Sequence, residues 1–333
     1  MNLDLFGPIT IKDSVVKRGA RVQKKVWGVM FACTSTRAVY LDVAEDYSTE
    51  SILHCVRRLM ADKGQVKLIV SDPGTQLKGA SRELGEVMEG WSKAELTRFG
   101  ASHKLDWQFI MPASQFQNGA AEILTKVCKG AMKALIEAIG STVLFLNELF
   151  TLLKEVANLV NERPIGLKPN CQTDQEFLSP NSLLLGRCSD RISSGPFIKK
   201  INFSDSPKDD RTRFLLVQRL SNQFWRNWTN LYFPTLLRRQ KWHNKERNLA
   251  VGDICVLRDN NALRGEWKMC RVVEVYPDMD DVVRNVKVAL PPPSIDGSKD
   301  YKKGLEKSEV KRHVSNLIVI VPAEENASGH RGE

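Results

Sequence analysis

The chain predicts a mixed α/β domain built on a five-stranded sheet, followed by a basic helical segment and a small antiparallel β-barrel. Three observations lead there. Apolar, β-rich runs come first in close succession. A helical period then alternates with two short strands of the buried kind. From Val251 onward, short strands separated by turn signals return.

The elements follow in chain order. "LDLFGPITI", from Leu3, and "KVWGVMFACT", from Lys25, are the apolar runs, and "RAVYLDVA" follows after a short turn. "STESILHCVRRLMADKG" changes the period: Ile52, Val56, Leu59 and Met60 share one helical face, Ser48 or Thr49 suits the N-cap, and Gly64 suits the stop. "QVKLIVSD" and "LDWQFIMP" are short strands. A long helix is expected from Gly119 to about Ile139, and an apolar helix from Val143 to Asn161, ended by the proline of "NERP". Three strands, a helix, a parallel strand, a further strand and then helices describe a mixed sheet with helices on its faces.

The expected domain division is 1–165 for this core and 166–210 for a Pro-, Ser-, Asn- and Asp-rich connector. A basic aromatic helical segment over 211–250, broken at Pro234, comes next. It is followed by the barrel over 251–322 and a tail over 323–333 expected to be disordered. Charge is unevenly spread. The chain carries +10 with a pI of about 9.2, yet residues 1–165 hold 21 basic against 18 acidic side chains. Residues 211–248 hold nine against one, so a polyanion would meet the chain there. Seven scattered cysteines without C-x-x-C, and five histidines away from zinc-finger spacing, point to reduced thiols rather than a disulfide framework or structural zinc. No apolar run reaches membrane-spanning length and no secretion signal is evident, so an intracellular chain is expected.

Three carboxylates stand out. Asp4 interrupts an apolar run, where a charge is unfavourable unless it is used. Asp72 directly follows "KLIVS". By itself, Asp before Pro-Gly is ordinary turn chemistry. Glu122 opens the long helix. With the first strand central and the fourth beside it, Asp4 and the end of the fourth strand come close, and the helix's first turn projects Glu122 towards both. Three carboxylates in one site raise one another's pKa unless a cation neutralises them, and Mg²⁺ is the hard ion that suits oxygen donors.

"LDLFGPI", "IVSDPGTQLKGA" and "PASQFQNGAAEILTKVCKGAMKAL" resemble the D,D-x-E motifs of retroviral-type integrases, with 49 residues between Asp72 and Glu122. "VWGVMFACTSTRAVYLDVAEDYSTE", "NERPIG", "LSPNSLLLGR" and "FWRNWTNLYFPTLLRRQKWHNKERNLAVGDICVLRDNN" are similar to the BEL/Pao class of LTR retrotransposons. The resemblance runs over roughly residues 2–321. It implies an RNase H-like fold and a C-terminal barrel of the SH3-like kind. It also implies two Mg²⁺ (or Mn²⁺) ions held by Asp4, Asp72 and Glu122 as catalytic and metal-binding residues. The implied reaction is phosphodiester hydrolysis at the element's DNA ends, then strand transfer to target DNA. Further implications are DNA and chromatin as partners, a homo-multimer, and the nucleus as the site of action. The chain departs from the family's Ser-Asp-Asn-Gly-Thr in carrying Pro73, which removes a backbone donor and fixes φ. The rival reading is a catalytically inactive or domesticated DNA- and chromatin-binding remnant. A ribonuclease H would want a fourth acidic ligand and has no need of the C-terminal barrel.

Nucleic-acid contacts are expected at Lys126 and Lys129, which share a helical face with Glu122, and less at Lys133; the competing reading is a solvated face. Leu124, Val127, Ala131 and Leu135 form the opposite, core face. Gln117 and Asn118 lie where integrases carry a loop before the glutamate, or simply cap the helix. Arg238, Arg239 and Lys241 are phosphate candidates, against a salt-bridged surface as the alternative. Leu220, Phe224 and Trp228 share a face and read as packing residues, as does Trp267. His54 and Cys55 fall on different helix faces and make no metal pair.

Overall fold

The structure, a computed structural model, describes residues 1–12, 23–46, 48–71, 98, 105–109, 119–139, 143–167, 177–186, 210–237, 247–259, 262, 264–290 and 309–324. The chain divides into two compact units. One is Met1–Asn161 with Leu184–Tyr232, the other Glu162–Leu183 with Phe233–Glu333.

The first unit is organised on β1 (Asn2–Lys12), the middle strand of a sheet ordered β3-β2-β1-β4-β5. Its other strands are β2 (Gln23–Ala32), β3 (Val39–Ala44), β4 (Leu68–Ser71) and β5 (Asp106–Phe109). The first three strands pair antiparallel, whereas β4 runs parallel to β1 and β5 parallel to β4. This is the mixed five-stranded sheet expected from the order of elements. It gains β6 (Leu144–Phe145), which pairs with Ile11 and Lys12 at the far end of β1. Sequence periodicity assigns those two residues to a helix. That helix instead begins at Leu146, because Glu148 Oε2 accepts the Phe145 amide at 2.8 Å and leaves residues 144–145 extended beside β1.

Helix α1 (Thr49–Lys63) links the antiparallel half to β4. Ser48 caps it by accepting the Ser51 amide at 3.1 Å, and Gly64, at φ +85°, closes it through a bond to the Met60 carbonyl. Its buried stripe of Ile52, Cys55, Val56 and Leu59 meets Leu3, Leu5, Trp27, Val29, Phe31, Ile69 and Trp107 in one core. Helix α2 (Gly119–Ile139) packs on β1 and β2 through Leu124, Val127, Cys128, Ala131, Met132 and Leu135, all buried. Helix α3 (Leu146–Asn161) packs on β3. Its last residue, Asn161, bonds both the amide and the carbonyl of Val39 at 2.7 Å, occupying polar groups that an edge strand would otherwise present.

Beyond residue 166 the described elements are a two-stranded ladder of β7 (Gly166–Leu167) and β8 (Phe177–Leu178), then a short helix α4 (Pro180–Leu185). Helix α5 (Asp210–Leu236) follows. Leu220, Phe224 and Trp228 are buried along it, as their spacing predicts, together with Leu216 and Val217. Arg213 holds Glu148 in a two-pronged pair at 2.5 Å. Gln218 and Ser221 donate to Glu155 at 2.9 and 2.6 Å, which pins α5 to α3. The expected break at Pro234 does not occur. The proline falls in the last turn, so its missing amide and its ring affect only the end of the helix, which stops two residues later.

In the second unit, β9 (Ile254–Leu257), β10 (Lys268–Pro277), β11 (Val283–Ala289), β12 (Glu309–His313) and β13 (Leu317–Val321) form an antiparallel sheet ordered β12-β11-β10-β9-β13. A 3-10 turn over Val314–Asn316 carries the chain from one edge to the other. Among the described residues β12 and β13 share no ladder, so the sheet is open where a closed barrel is expected. Cys255, Leu257, Cys270, Val272, Val283, Val286, Val288 and Leu317 form its core. No helix among the described residues is long and apolar enough to cross a membrane.

Candidate metal and nucleic-acid site

Strand alternation places Asp4. Leu3 and Leu5 enter the core under α1, so the side chain between them faces the other side of the sheet, where α2 lies. There Asp4 Oδ1 accepts the Leu5 amide at 2.8 Å, and Oδ2 sits 2.5 Å from the Nζ of Lys129. The two side chains are 27% and 25% exposed, so the pair is half-screened by water.

The parallel neighbour β4 ends at Ser71, which stands opposite Leu3, one residue short of Asp4. Ser71 is buried, and its Oγ accepts the Trp107 indole N–H at 3.0 Å, which ties the end of β4 to β5. Helix α2 carries Glu122 in its first turn, and Glu122 and Lys126 are both exposed. Seven residues turn an α-helix through almost two full rotations, so Lys129 lies on the Glu122 face. Cα–Cβ bonds tilt towards a helix's N-terminus, and the Lys129 side chain therefore leans back towards the turn that bears Glu122. Lys133 is exposed and lies 3.9 Å from Glu137.

The structure thus brings together Asp4 and the basic face of α2, with the end of β4 alongside. Asp72, Gln117, Asn118, Arg238, Arg239 and Lys241 lie outside the described residues. Among the described residues no group of three potential metal-ligating side chains is formed. The chemistry of the described donors suits a hard divalent ion: Asp4 and Glu122 offer carboxylate oxygens, and Asp4 already holds a cation.

The Lys129–Asp4 pair is the feature that sequence reasoning missed. It read Lys129 as a phosphate contact. The available signal was the i+7 spacing from Glu122, which places Lys129 on the face that must look down on the first strand. The aromatic residues behave as their spacing predicts. Trp228 is fully buried and stacks on Trp225 and Tyr232 with centroids 5.8 and 4.5 Å away, and Trp267 is buried beside Phe233. His54 is exposed and Cys55 buried, on separate faces.

A second ionic group lies at β3. Asp42, fully buried, accepts from Arg58 Nε at 2.8 Å and from the Val43 amide at 2.8 Å. Arg58 also donates to the Val43 carbonyl at 3.0 Å. Tyr40 donates to Asp62 at 2.8 Å while the Lys154 ammonium sits 3.7 Å from the Tyr40 ring centroid. Burial first, and then the bond to Asp62, push the Tyr40 phenol far above its ordinary range. Arg58, half-exposed, neutralises the buried Asp42 carboxylate and ties α1 to β3.

The first unit is therefore an α/β domain whose central strand carries a cation-bearing carboxylate beneath a basic helix face. Residues 212–296 match a family described as "Family of unknown function (DUF5641)". No curated protein matches the chain by sequence. Among solved structures, the simian T-cell lymphotropic virus intasome, in complex with the PP2A regulatory subunit B56 gamma, aligns at 11% identity. That alignment covers 96% of this chain and 77% of that chain, with a TM-score of 0.31. The HTLV-2 integrase catalytic core domain in complex with magnesium aligns at 12% identity over 53% of this chain and 90% of that one, with a TM-score of 0.28. The BIV integrase catalytic core domain aligns at 12% identity over 54% and 94%, with a TM-score of 0.31. The assignment of the fold rests on this chain's own strand ladders.

Proposed function

We propose that this chain is an integrase-type polynucleotidyl transferase of the BEL/Pao retrotransposon kind, which hydrolyses and joins DNA phosphodiesters. The observation that carries the reading is the setting of Asp4. It lies on the central strand of a 3-2-1-4-5 mixed sheet, beside the end of the parallel fourth strand and under the helix that bears Glu122. Ligands of open α/β sheets bind outside the carboxyl ends of parallel strands, and the chain reaches Asp72 immediately after β4.

Asp4, Asp72 and Glu122 would hold two Mg²⁺ or Mn²⁺ ions, which when bound supply nucleophile activation and charge stabilisation at the leaving oxygen. Lys126, exposed one turn beyond Glu122, would hold a phosphate of the DNA end as a point charge, and Gln117 and Asn118, which precede the helix in sequence, would add polar contacts. Arg238, Arg239 and Lys241 would grip the backbone further along. The strand order 5-1-2-3-4 of the second unit, with a single 3-10 turn before its last strand, supports an SH3-like module. DNA and chromatin in the nucleus are the partners this reading implies, with a multimer as the working assembly.

The test is joining of a labelled DNA end to plasmid DNA in Mn²⁺. Wild type should join, and Glu122→Gln should abolish joining while DNA binding persists. DNA binding by wild type without any metal-dependent nicking or joining would instead establish the binding-remnant reading.

A further inference from the structure

The ammonium of Lys129 lies against Asp4, the carboxylate read above as a metal ligand. We infer that Lys129 is the resident counterion of the Asp4 carboxylate, and that it yields Asp4 when a divalent cation binds, so that metal binding turns the lysine out towards the basic face of α2. This rests on the reading of Asp4 as a metal ligand and adds a device that regulates the site.

Three features carry it. The contact is direct, with Nζ 2.5 Å from Oδ2, while Oδ1 is engaged by the Leu5 amide. The oxygen best placed for an incoming ion is therefore the one that the lysine holds. Both side chains keep about a quarter of their surface exposed, so ion and lysine can exchange without unfolding. Lys129 also stands one turn from the exposed Lys126, on the face that carries Glu122. Once released, its amine joins a row of positive charge at the site instead of being spent on Asp4. A carboxylate that would repel its neighbours when metal-free is thus kept neutralised by the chain itself. The attraction of the site for ions is correspondingly reduced, and its attraction for phosphate rises only after an ion is in place.

The experiment uses the full-length chain and Mn²⁺ alone. Bound Mn²⁺ is counted by electron paramagnetic resonance, and lysine accessibility is read by pulsed acetylation and mass spectrometry, with Lys126 as the internal reference. In metal-free wild type, Lys129 should label more slowly than Lys126, and Mn²⁺ should raise the Lys129 to Lys126 ratio. In Asp4→Asn the ratio should be high with or without Mn²⁺. Lys129→Met should bind Mn²⁺ about twofold to fivefold more tightly, the scale of a partly exposed ion pair. Equal ratios in metal-free wild type and Asp4→Asn would overturn the proposal, as would a ratio unmoved by Mn²⁺ that is demonstrably bound. Either result leaves the metal-site reading intact. Failure of both wild type and Lys129→Met to bind Mn²⁺ would overturn the two together.

Discussion

Replacing Asp253 by asparagine should loosen the whole second-unit sheet. Its carboxylate is fully buried and makes four bonds. Arg247 donates twice, at 2.9 and 2.8 Å, and the amides of Ala250 and Ala323 donate at 2.8 Å each. One side chain therefore joins the approach to β9 with the residues that follow β13. Asparagine keeps the shape but removes the charge and turns one acceptor oxygen into a donor facing other donors. Breaking an ionic pair whose carboxylate is buried costs about 3–5 kcal/mol, which should speed amide exchange about 10²-fold or more when opening is a rapid pre-equilibrium. Hydrogen exchange of peptides covering Ile254–Leu257 and Leu317–Val321 reads this locally, independently of the first unit. The pH dependence has a defined sign. Burial alone would raise the Asp253 pKa, but the Arg247 bonds and the two amides outweigh it and hold the pKa below its ordinary value. The stabilisation is therefore complete above about pH 4, where an unfolded aspartate is ionised, and fades as pH falls through the lower folded-state value. Exchange in Asp253→Asn equal to wild type at neutral pH would refute the clasp.

Three other perturbations probe the packing of the strands and the thiols. Gly28→Ala should destabilise the first unit by about 1–3 kcal/mol, because an added Cβ would fall 2.1–2.5 Å from the Phe6 ring; thermal unfolding of Gly28→Ala against a Gly28→Ala, Phe6→Leu double variant checks it, with recovery expected in the double. Asn161→Ala strips both bonds from Val39 and should cost about 1–3 kcal/mol while raising aggregation through the uncovered β3 edge, measured by denaturant titration and light scattering. Iodoacetamide at pH 8 should modify Cys33 well before Cys55 and Cys270, as followed by peptide mass spectrometry. Burial pushes both of the latter thiols up to about 12, whereas at Cys33 the bonds from Thr36 and Ser35 outweigh burial and lower the pKa. Equal rates for the three would show that the packing around them is open.

The strand order of the first unit was legible because each strand is an apolar run bounded by turns or by a capped helix, and Ser48 and Gly64 mark α1 by chemistry that acts locally. Asp4 was legible for the opposite reason, as a charge where the local pattern wants none. What escaped detection depends on partners far along the chain. Two residues, Leu144 and Phe145, are too few to carry a period, so their pairing with β1 leaves no mark in the sequence. The open edge between β12 and β13 is likewise a matter of ladders rather than of composition. The buried Asp42 carboxylate gains its Arg58 partner only once α1 lies on β3, a contact between elements that no local pattern records. Lys129 is the intermediate case: its helical face and the strand beneath it were readable, but the direct pairing with Asp4 depends on side-chain reach that spacing alone does not give.

The register of β1 explains why a single charge can sit in so apolar a strand. Leu3, Leu5, Ile9 and Ile11 are all buried and all odd-numbered, so strict alternation would put them on one face and Asp4 and Phe6 on the other. The ladder with β2 says otherwise. Phe6 pairs with Gly28 and Ile9 with Val26, so three steps on β1 match two on β2, and the extra residue at Gly7–Pro8 reverses the side-chain sense. Leu3 and Leu5 therefore meet α1, while Ile9 and Ile11 lie on the face of Phe6 and Asp4. That second face is apolar along most of its length, which is what α2 needs for packing, and Asp4 is left near the start of the strand beside the end of β4. Without the bulge, either the core under α1 or the seat of α2 would lose its apolar residues. The irregularity in β1 is what lets one strand serve two cores and still present a carboxylate at the rim between them.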